Sequence, residues 1–312
     1  MQQTVYVKFN NLRHPDFAVK TSILENNGQK LVIKSSISDE GKKHILDFPK
    51  KAEALKKLYS NNVNVLDVKI ENDQAVFPFV TGQTVAGLIE ESLNDFPTAM
   101  EKITHYLDLI ESYSDDSITD FEISDEYRRV FGDTDYNGSA LSIANIDEIF
   151  DNFLITDQGL TLIDYEWVFL FSVPKRFIRF RTVYYFLVKN YSIITKNISE
   201  EDFLKHFGFD QDEAAIWKSA EDNFQQYAHG KLRKYMYTPG YMRDVYDIND
   251  MLNNISNIGK VYSDTVEENR YIHSVLARQA NNLKPQNYPK YLYKKIIKKL
   301  QKKIQKKSGD KS

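Results

Sequence analysis

The stretch NIDEIFDNFLITDQGLTLIDYEWVF, residues 145–169, restricts the possible folds more than any other part of the chain. Asp147 is followed five positions later by Asn152. Phe153-Leu154-Ile155 and Leu160-Thr161-Leu162-Ile163 flank a turn at Asp157-Gln158-Gly159, which reads as a tight apolar hairpin. The hairpin returns the chain to its starting loop and delivers Asp164 there, twelve residues after Asn152. Singly, each of these residues reads first as a turn former. Together they place three oxygen-bearing side chains at one point. A hard cation wants carboxylate and amide oxygens, so Asp164 and Asn152 are candidate Mg²⁺ ligands and Asp147 is a candidate proton acceptor.

Around this island the chain divides in two. The first third is strand-rich: Thr4–Phe9, Phe17–Leu24, a hairpin turn at Glu25-Asn26-Asn27-Gly28, then Lys30–Ile37. Glu40–Tyr59 is helical in pattern and broken by Pro49. Val63–Glu71 and Gln74–Val80 form a further hairpin about Asn72-Asp73. From Thr84 helical patterns dominate: Thr84–Leu93, Pro97–Ser112, Tyr184–Ile194, Glu200–His206 and Asp212–Tyr227. Residues 114–144 are polar and acidic and read as weakly structured. Strands first, helices second and a small hairpin between them is the plan of an α+β, two-lobed, protein-kinase-like fold. The expected divisions are a β-rich N-lobe over 1–82, a helical C-lobe over 83–250, a helical extension or linker over 251–288 and a basic amphipathic tail helix over 289–312.

In that plan Asp147-x-x-x-x-Asn152 has the spacing of a kinase catalytic loop. Lys34 ends the apolar strand LVIK. It reads either as a lysine snorkelling to solvent or as the residue that holds the α- and β-phosphates of ATP, paired to a helix glutamate. Glu53 in KKAEALKKLY is the expected partner and Glu40 the alternative. FPFVTG at 77–82 reads as the last N-lobe strand entering the hinge, with the Phe79 backbone against adenine. Arg13, in the loop between the first two strands, is a candidate for the phosphates. The six histidines are widely spaced and show no metal-binding pattern. Trp167 and Phe169 read as core beneath the hairpin.

FDN at 150–152, IDYEWVF at 163–169 with Pro174 following, KHI at 43–45 and FPFVTG at 77–82 carry a family resemblance. Over about residues 5–235 the chain resembles the atypical kinase domains of bacterial surface-polysaccharide assembly, including the kinase part of the methyltransferase–kinase that caps O-antigen. More distantly, Asp-Tyr-Glu in place of Asp-Phe-Gly resembles the kinases for choline and aminoglycosides. The resemblance implies ATP- and Mg²⁺-dependent phosphoryl transfer to a saccharide or glycan hydroxyl. A glycan or lipid-linked sugar would be the acceptor and a glycosyltransferase a further candidate partner. Three features depart from the kinase pattern. Asn145 stands where most kinases have His, no glycine-rich loop precedes Lys34, and no A-P-E follows Asp164. The first two favour the alternative of a kinase-shaped module that binds or scaffolds glycosyltransferases. The third argues against a peptide acceptor. The stretch 114–135, with Tyr127 and Phe131, is expected to wall the acceptor side.

Composition bears on the expected setting. No cysteine is present, which excludes disulfides and thiolate metal sites and favours the cytoplasm. MQQTVYVKFNN has no signal-peptide character. The most apolar stretch, 167–188, is interrupted by Lys175, Arg176, Arg179 and Arg181, so no span is expected. Residues 290–312 hold ten Lys and one Asp, whereas 1–289 hold 31 Lys and Arg against 43 Asp and Glu. In the tail Tyr293, Ile296, Ile297, Leu300 and Ile304 form one apolar stripe amid lysines. That is the pattern of a helix lying on an anionic membrane through 290–307. The expected place is peripheral, on the inner face of the cell membrane. The acidic body argues against nucleic acid.

Overall fold

The computed structural model describes residues 3–59 and 62–230, all within one compact unit, Met1–Val245. The expected extension, the tail helix and the last part of the C-lobe lie outside the described residues. The chain opens with strands β1 (Gln3–Phe9), β2 (Val19–Asn26) and β3 (Gln29–Ser36). The β2–β3 turn needs positive φ at both central residues, and Asn27 and Gly28 supply it at 50° and 80°. Helices α1 (Lys42–Leu46) and α2 (Phe48–Tyr59) follow. Pro49 lies in the first turn of α2, where its missing N–H costs nothing. Pro49 therefore starts a second helix, and the break falls at Asp47.

β4 (Asn64–Val65), β5 (Lys69–Glu71) and β6 (Gln74–Pro78) come next. β5 and β6 complete a five-stranded antiparallel sheet in the order β1-β2-β3-β6-β5. Phe48, Ala52, Leu55, Leu58 and Tyr59 form the buried face of α2. Each such large side chain contributes roughly 1.5–3 kcal/mol on burial. Phe48 meets Phe77 of β6 edge-on at 5.4 Å and Tyr165 at 5.9 Å, which ties α2 both to the sheet and to the segment after the hairpin.

The second lobe begins with β7 (Gln83–Thr84), α3 (Val85–Glu90), capped by the Thr84 hydroxyl, and α4 (Phe96–Ile110). β8 (Ile118–Asp120), α5 (Asp125–Phe131), β9 (Ser139–Leu141) and β10 (Ala144–Asn145) lead to the hairpin β11 (Phe153–Thr156) and β12 (Gly159–Leu162). β13 (Val168–Phe169), β14 (Val173–Pro174), α6 (Lys175–Lys189), α7 (Tyr191–Ile194), α8 (Glu200–His206) and α9 (Gln211–His229) close the lobe. This is the expected α+β arrangement, a β-rich first lobe followed by a helical second one.

Three elements differ from the sequence reading. Val63–Glu71 is not one strand. β4 leaves the N-lobe sheet and runs parallel to β12, giving a four-stranded sheet β4-β12-β11-β7. Residues 114–144 are better ordered than expected, because Ser124 caps α5 and Tyr127, Val130 and Phe131 are buried. Helix α6 begins at Lys175 rather than Tyr184. The arginines that seemed to interrupt its apolar run each find a carboxylate: Arg176 with Glu213 at 2.5 Å, Arg179 with Glu111 at 2.8 Å and Arg181 with Glu221 at 2.7 Å. Among the described residues no helix is long and apolar enough to cross a membrane.

Candidate active site

The hairpin β11–β12 is built as its sequence suggests, with Phe153 opposite Leu162 and Thr156 opposite Gly159. Its two ends are stitched together by the Ile163 N–H, which donates to the Asn152 carbonyl at 3.0 Å. Asn152 and the segment carrying Asp164 are therefore neighbours by backbone geometry. The Asn152 side-chain amide donates to the Asp147 carbonyl at 2.9 Å, which ties Asn152 to the loop five residues before it. With its nitrogen so committed, the amide keeps its oxygen for another partner.

Asp147 is fixed from three sides. Its Oδ2 accepts the Trp167 N–H at 3.0 Å, its own N–H donates to the Asn145 side-chain oxygen at 3.1 Å, and Arg181 stands 3.9 Å from Oδ1. Asn145, fully buried, thus orients this loop. Burial, reinforced by the Asp164 and Glu166 charges and opposed by Arg181, pushes the Asp147 carboxyl up to about 6.

Lys34, from β3, is buried and reaches Asp164 Oδ1 at 2.8 Å and Glu166 Oε1 at 2.5 Å. Burial would lower the Lys34 ammonium, but these two carboxylates hold it above its ordinary value. Arg13 pairs with the other oxygen of Glu166 and stacks over Trp167 at 5.5 Å. Burial alone would raise the Glu166 carboxyl, yet Lys34 and Arg13 keep it well below the usual carboxylate range.

The structure thus brings together Lys34, Arg13, Asp147, Asn152 and Asp164. It does not bring Glu53. That side chain is 69% exposed and pairs with Lys56 at 2.9 Å on the outer face of α2. Two residues along a helix is a rotation of about 200°, so the residue facing the site is Lys51, whose Nζ donates to the Glu166 carbonyl at 2.6 Å. The alternative partner, Glu40, also makes no bond to Lys34, whose carboxylates are Asp164 and Glu166. At Phe79, whose backbone was expected against adenine, the donor is already committed. Its N–H donates to the Lys30 carbonyl at 3.3 Å, extending the β3–β6 ladder, and its half-exposed ring lies 5.5 Å from the Lys30 ammonium. Tyr127 and Phe131 are fully buried in aromatic core with Phe121, Phe171 and Phe177, so they wall no acceptor site. Trp167 is core, as expected, against Phe17 and Phe224.

Sequence reasoning missed Glu166, Lys51 and Arg181. Glu166 was visible inside IDYEWVF, but its partners lie 132 and 153 residues away. Arg181 donates to the Ile146 carbonyl as well as to Glu221, gripping the loop that carries Asp147.

One carboxylate and one amide oxygen, Asp164 and Asn152, are the groups that could hold a metal. The described residues contain no cluster of three His, Cys, Asp or Glu placed to do so. That small donor set suits Mg²⁺, which keeps several waters and takes its other oxygens from phosphates.

No family model matches the chain, and no curated protein matches it. Solved structures similar to it include a type I macrolide 2'-phosphotransferase, with 12% identity and a TM-score of 0.35 over 70% of this chain and 84% of that one. Choline kinase LicA from Streptococcus pneumoniae is similar over 77% of this chain and 90% of its own, with 14% identity and a TM-score of 0.37. A thermostable mutant of aminoglycoside phosphotransferase APH(4)-Ia is similar over 72% and 95%, with 9% identity and a TM-score of 0.36. Similarity at this level specifies neither substrate nor activity.

Proposed function

We propose that this protein transfers the γ-phosphoryl group of ATP to a saccharide or glycan hydroxyl, in the assembly of surface polysaccharide at the cytoplasmic membrane face. The observation that carries the reading is the meeting of Lys34 with Asp164 at 2.8 Å across 130 residues, on a segment that also holds the Asp147 carboxylate through the Trp167 N–H. A cation from the first lobe, an exposed carboxylate and a proton acceptor of raised pKa are what phosphoryl transfer requires of a protein.

In this reading Lys34 meets the phosphates, Asp164 and Asn152 hold Mg²⁺, and Asp147 takes the proton. Held by Asp164 and Asn152, such an ion would offset the negative charge of the phosphates. Asp147 Oδ2 is committed to the Trp167 N–H, and Oδ1 stands 3.9 Å from Arg181, so Oδ1 is the proton acceptor. The acceptor oxygen gains the phosphoryl group, ADP leaves, and the hydroxyl proton passes to Oδ1. Only residues 165–174 separate Asp164 from the start of α6, which leaves no long segment to order a peptide. The apolar stripe and lysines of 290–307 support delivery of the acceptor, a glycan end or lipid-linked sugar, from an anionic membrane. A glycosyltransferase is a fitting partner in that setting.

The test is ATP consumption with Mg²⁺ against panels of saccharides and peptides. Transfer to peptide Ser, Thr or Tyr with none to any saccharide overturns the acceptor class. One observation favours the other reading, a binding or scaffold module: Lys34 and Arg13 are already neutralised by carboxylates of the site itself. Thermal stabilisation by millimolar ATP, with and without Mg²⁺, separates the two. A protein that shows no nucleotide-dependent shift is not a kinase.

A further inference from the structure

Lys51 has no part in the reading above, yet its surroundings are not those of a surface lysine. It precedes the buried Ala52 on α2, and its ammonium lies 5.0 Å from the centre of the Phe48 ring. Its Nζ donates to the main-chain carbonyl of Glu166 at 2.6 Å. Glu166 sits in a stretch, 163–167, that belongs to neither β12 nor β13. The backbone N–H groups at the ends of that stretch are anchored, Ile163 to the Asn152 carbonyl and Trp167 to Asp147. Between those anchors Lys51 holds the carbonyl of the residue whose carboxylate holds both Lys34 and Arg13.

We propose that Lys51 is the α2 residue that positions Lys34 for nucleotide, acting through Glu166. Lys51 pins the Glu166 main chain, and the Glu166 carboxylate then fixes the Lys34 ammonium. The charges are the reverse of those expected with Glu53: the helix supplies a cation and the segment after Asp164 supplies the carboxylate. Without Lys51 the Glu166 carbonyl loses its charged donor. Lys34 is then left with Asp164, the carboxylate that the metal needs. The inference rests on the phosphotransferase reading and adds how that site is assembled.

The groups facing Lys51 are the Glu166, Asp47 and Asp147 carboxylates and the Lys34 ammonium, with the His44 ring also near. Burial, aided by Lys34 and opposed by those carboxylates, brings the Lys51 ammonium down to about 8. Burial, then Lys51, keeps His44 neutral down to about pH 3. The strength of the Lys51 hold therefore declines as pH rises through about 8, whereas an arginine there stays charged.

The experiment measures the Mg²⁺–ATP Kd, KM and kcat of the full chain and of Lys51→Met, Lys51→Arg, Glu166→Gln and the Met/Gln double variant, from pH 6.5 to 9.5. Losing a charged hydrogen bond predicts roughly tenfold weaker nucleotide binding by Lys51→Met, with Lys51→Arg within about threefold of the parent. The two single effects should not add, because one acts through the other. Nucleotide affinity of the parent should fall as pH passes about 8, and that fall should be missing or displaced upward in Lys51→Arg. Equal affinity of Lys51→Met and parent at every pH overturns the proposal alone, and so do additive effects of Lys51→Met and Glu166→Gln. A parent that binds no nucleotide overturns this proposal and the phosphotransferase reading together. Should Lys51→Met fail to fold, the pH profile of Lys51→Arg still decides: a profile identical to the parent's overturns it.

Discussion

At residue scale the site is governed by how few carboxylates are shared among many partners. In the proposed reaction Asp147 would act as a base only when ionised, and burial pushes its carboxyl up to about 6. The value of kcat/KM should therefore rise as pH increases through about 6, and Asp147→Asn should lose about 10²–10⁴ of turnover while binding Mg²⁺–ATP as before. A pH–rate profile beside a nucleotide titration checks both. Glu148, next in the loop, is buried and accepts the Tyr59 and Tyr113 hydroxyls at 2.7 and 2.6 Å. Burial, only partly offset by those hydroxyls, raises its carboxyl to about 8. A carboxyl raised on folding binds its proton more tightly in the native state, so its contribution to stability is complete below about pH 4.5 and is lost as pH rises through about 8. Glu148→Gln keeps a neutral group there and should flatten the decline in Tm between about pH 5 and 8. A variant as pH-sensitive as the parent refutes this. The meeting of the loop at Asp147 and Asn152 with the segment at Asp164 was legible because a hairpin of fixed length joins them. Glu53 was misread because helix phase, a rotation of about 200° between Lys51 and Glu53, decides which side chain turns inward.

At element scale the errors have one cause, which is that an element's partner lies far away in sequence. β4 was assigned to the N-lobe hairpin because its residues alternate smoothly into β5, and nothing local shows that it pairs with β12. Helix α6 starts nine residues before the expected Tyr184, and the carboxylates that pair its arginines lie far off in sequence, Glu213 and Glu221 on α9 and Glu111 at the end of α4. Arg181 is the sharpest case. Replacing it with Met leaves Glu221 buried without its cation and frees the Ile146 carbonyl. Arg181→Met should destabilise by about 3–5 kcal/mol, read from denaturant unfolding, and a loss below about 1 kcal/mol would show the pair to be ornamental. Gly82 marks the passage between lobes, since a Cβ there would stand 2.4 Å from the Ile155 carbonyl oxygen of β11. Gly82→Ala should cost about 1–3 kcal/mol through that backbone collision. The same substitution at Gly159, where nothing lies within 4 Å, tests the strain of its φ of 93° alone.

At the scale of the whole molecule the acidic body and basic tail make one electrostatic prediction. Each lysine near an anionic surface contributes about 1 kcal/mol, and salt screens that share, whereas the apolar stripe adds a part that salt does not remove. Sedimentation with vesicles of phosphatidylglycerol and phosphatidylcholine should show binding by the full chain that weakens but persists at high salt. A chain ending at Pro289 that binds equally well would show the tail to be no anchor. The body's architecture was legible from the order of its strands and helices, because that order is a local property repeated along the chain. The joining of its lobes was not, and that joining governs how the protein is made. The β1-β2-β3-β6-β5 sheet has all its strands once Pro78 has left the ribosome, but β4 and β7 have no partner until β11 and β12 follow. At about 5–20 residues per second the ribosome needs some 4–16 s for those roughly 80 residues. During that interval Val65 and Leu66, core residues of the finished protein, lack the β12 strand that pairs beside them. Slow translation between residues 84 and 162 should therefore lengthen the time those strands wait for their partners, and fast translation should shorten it.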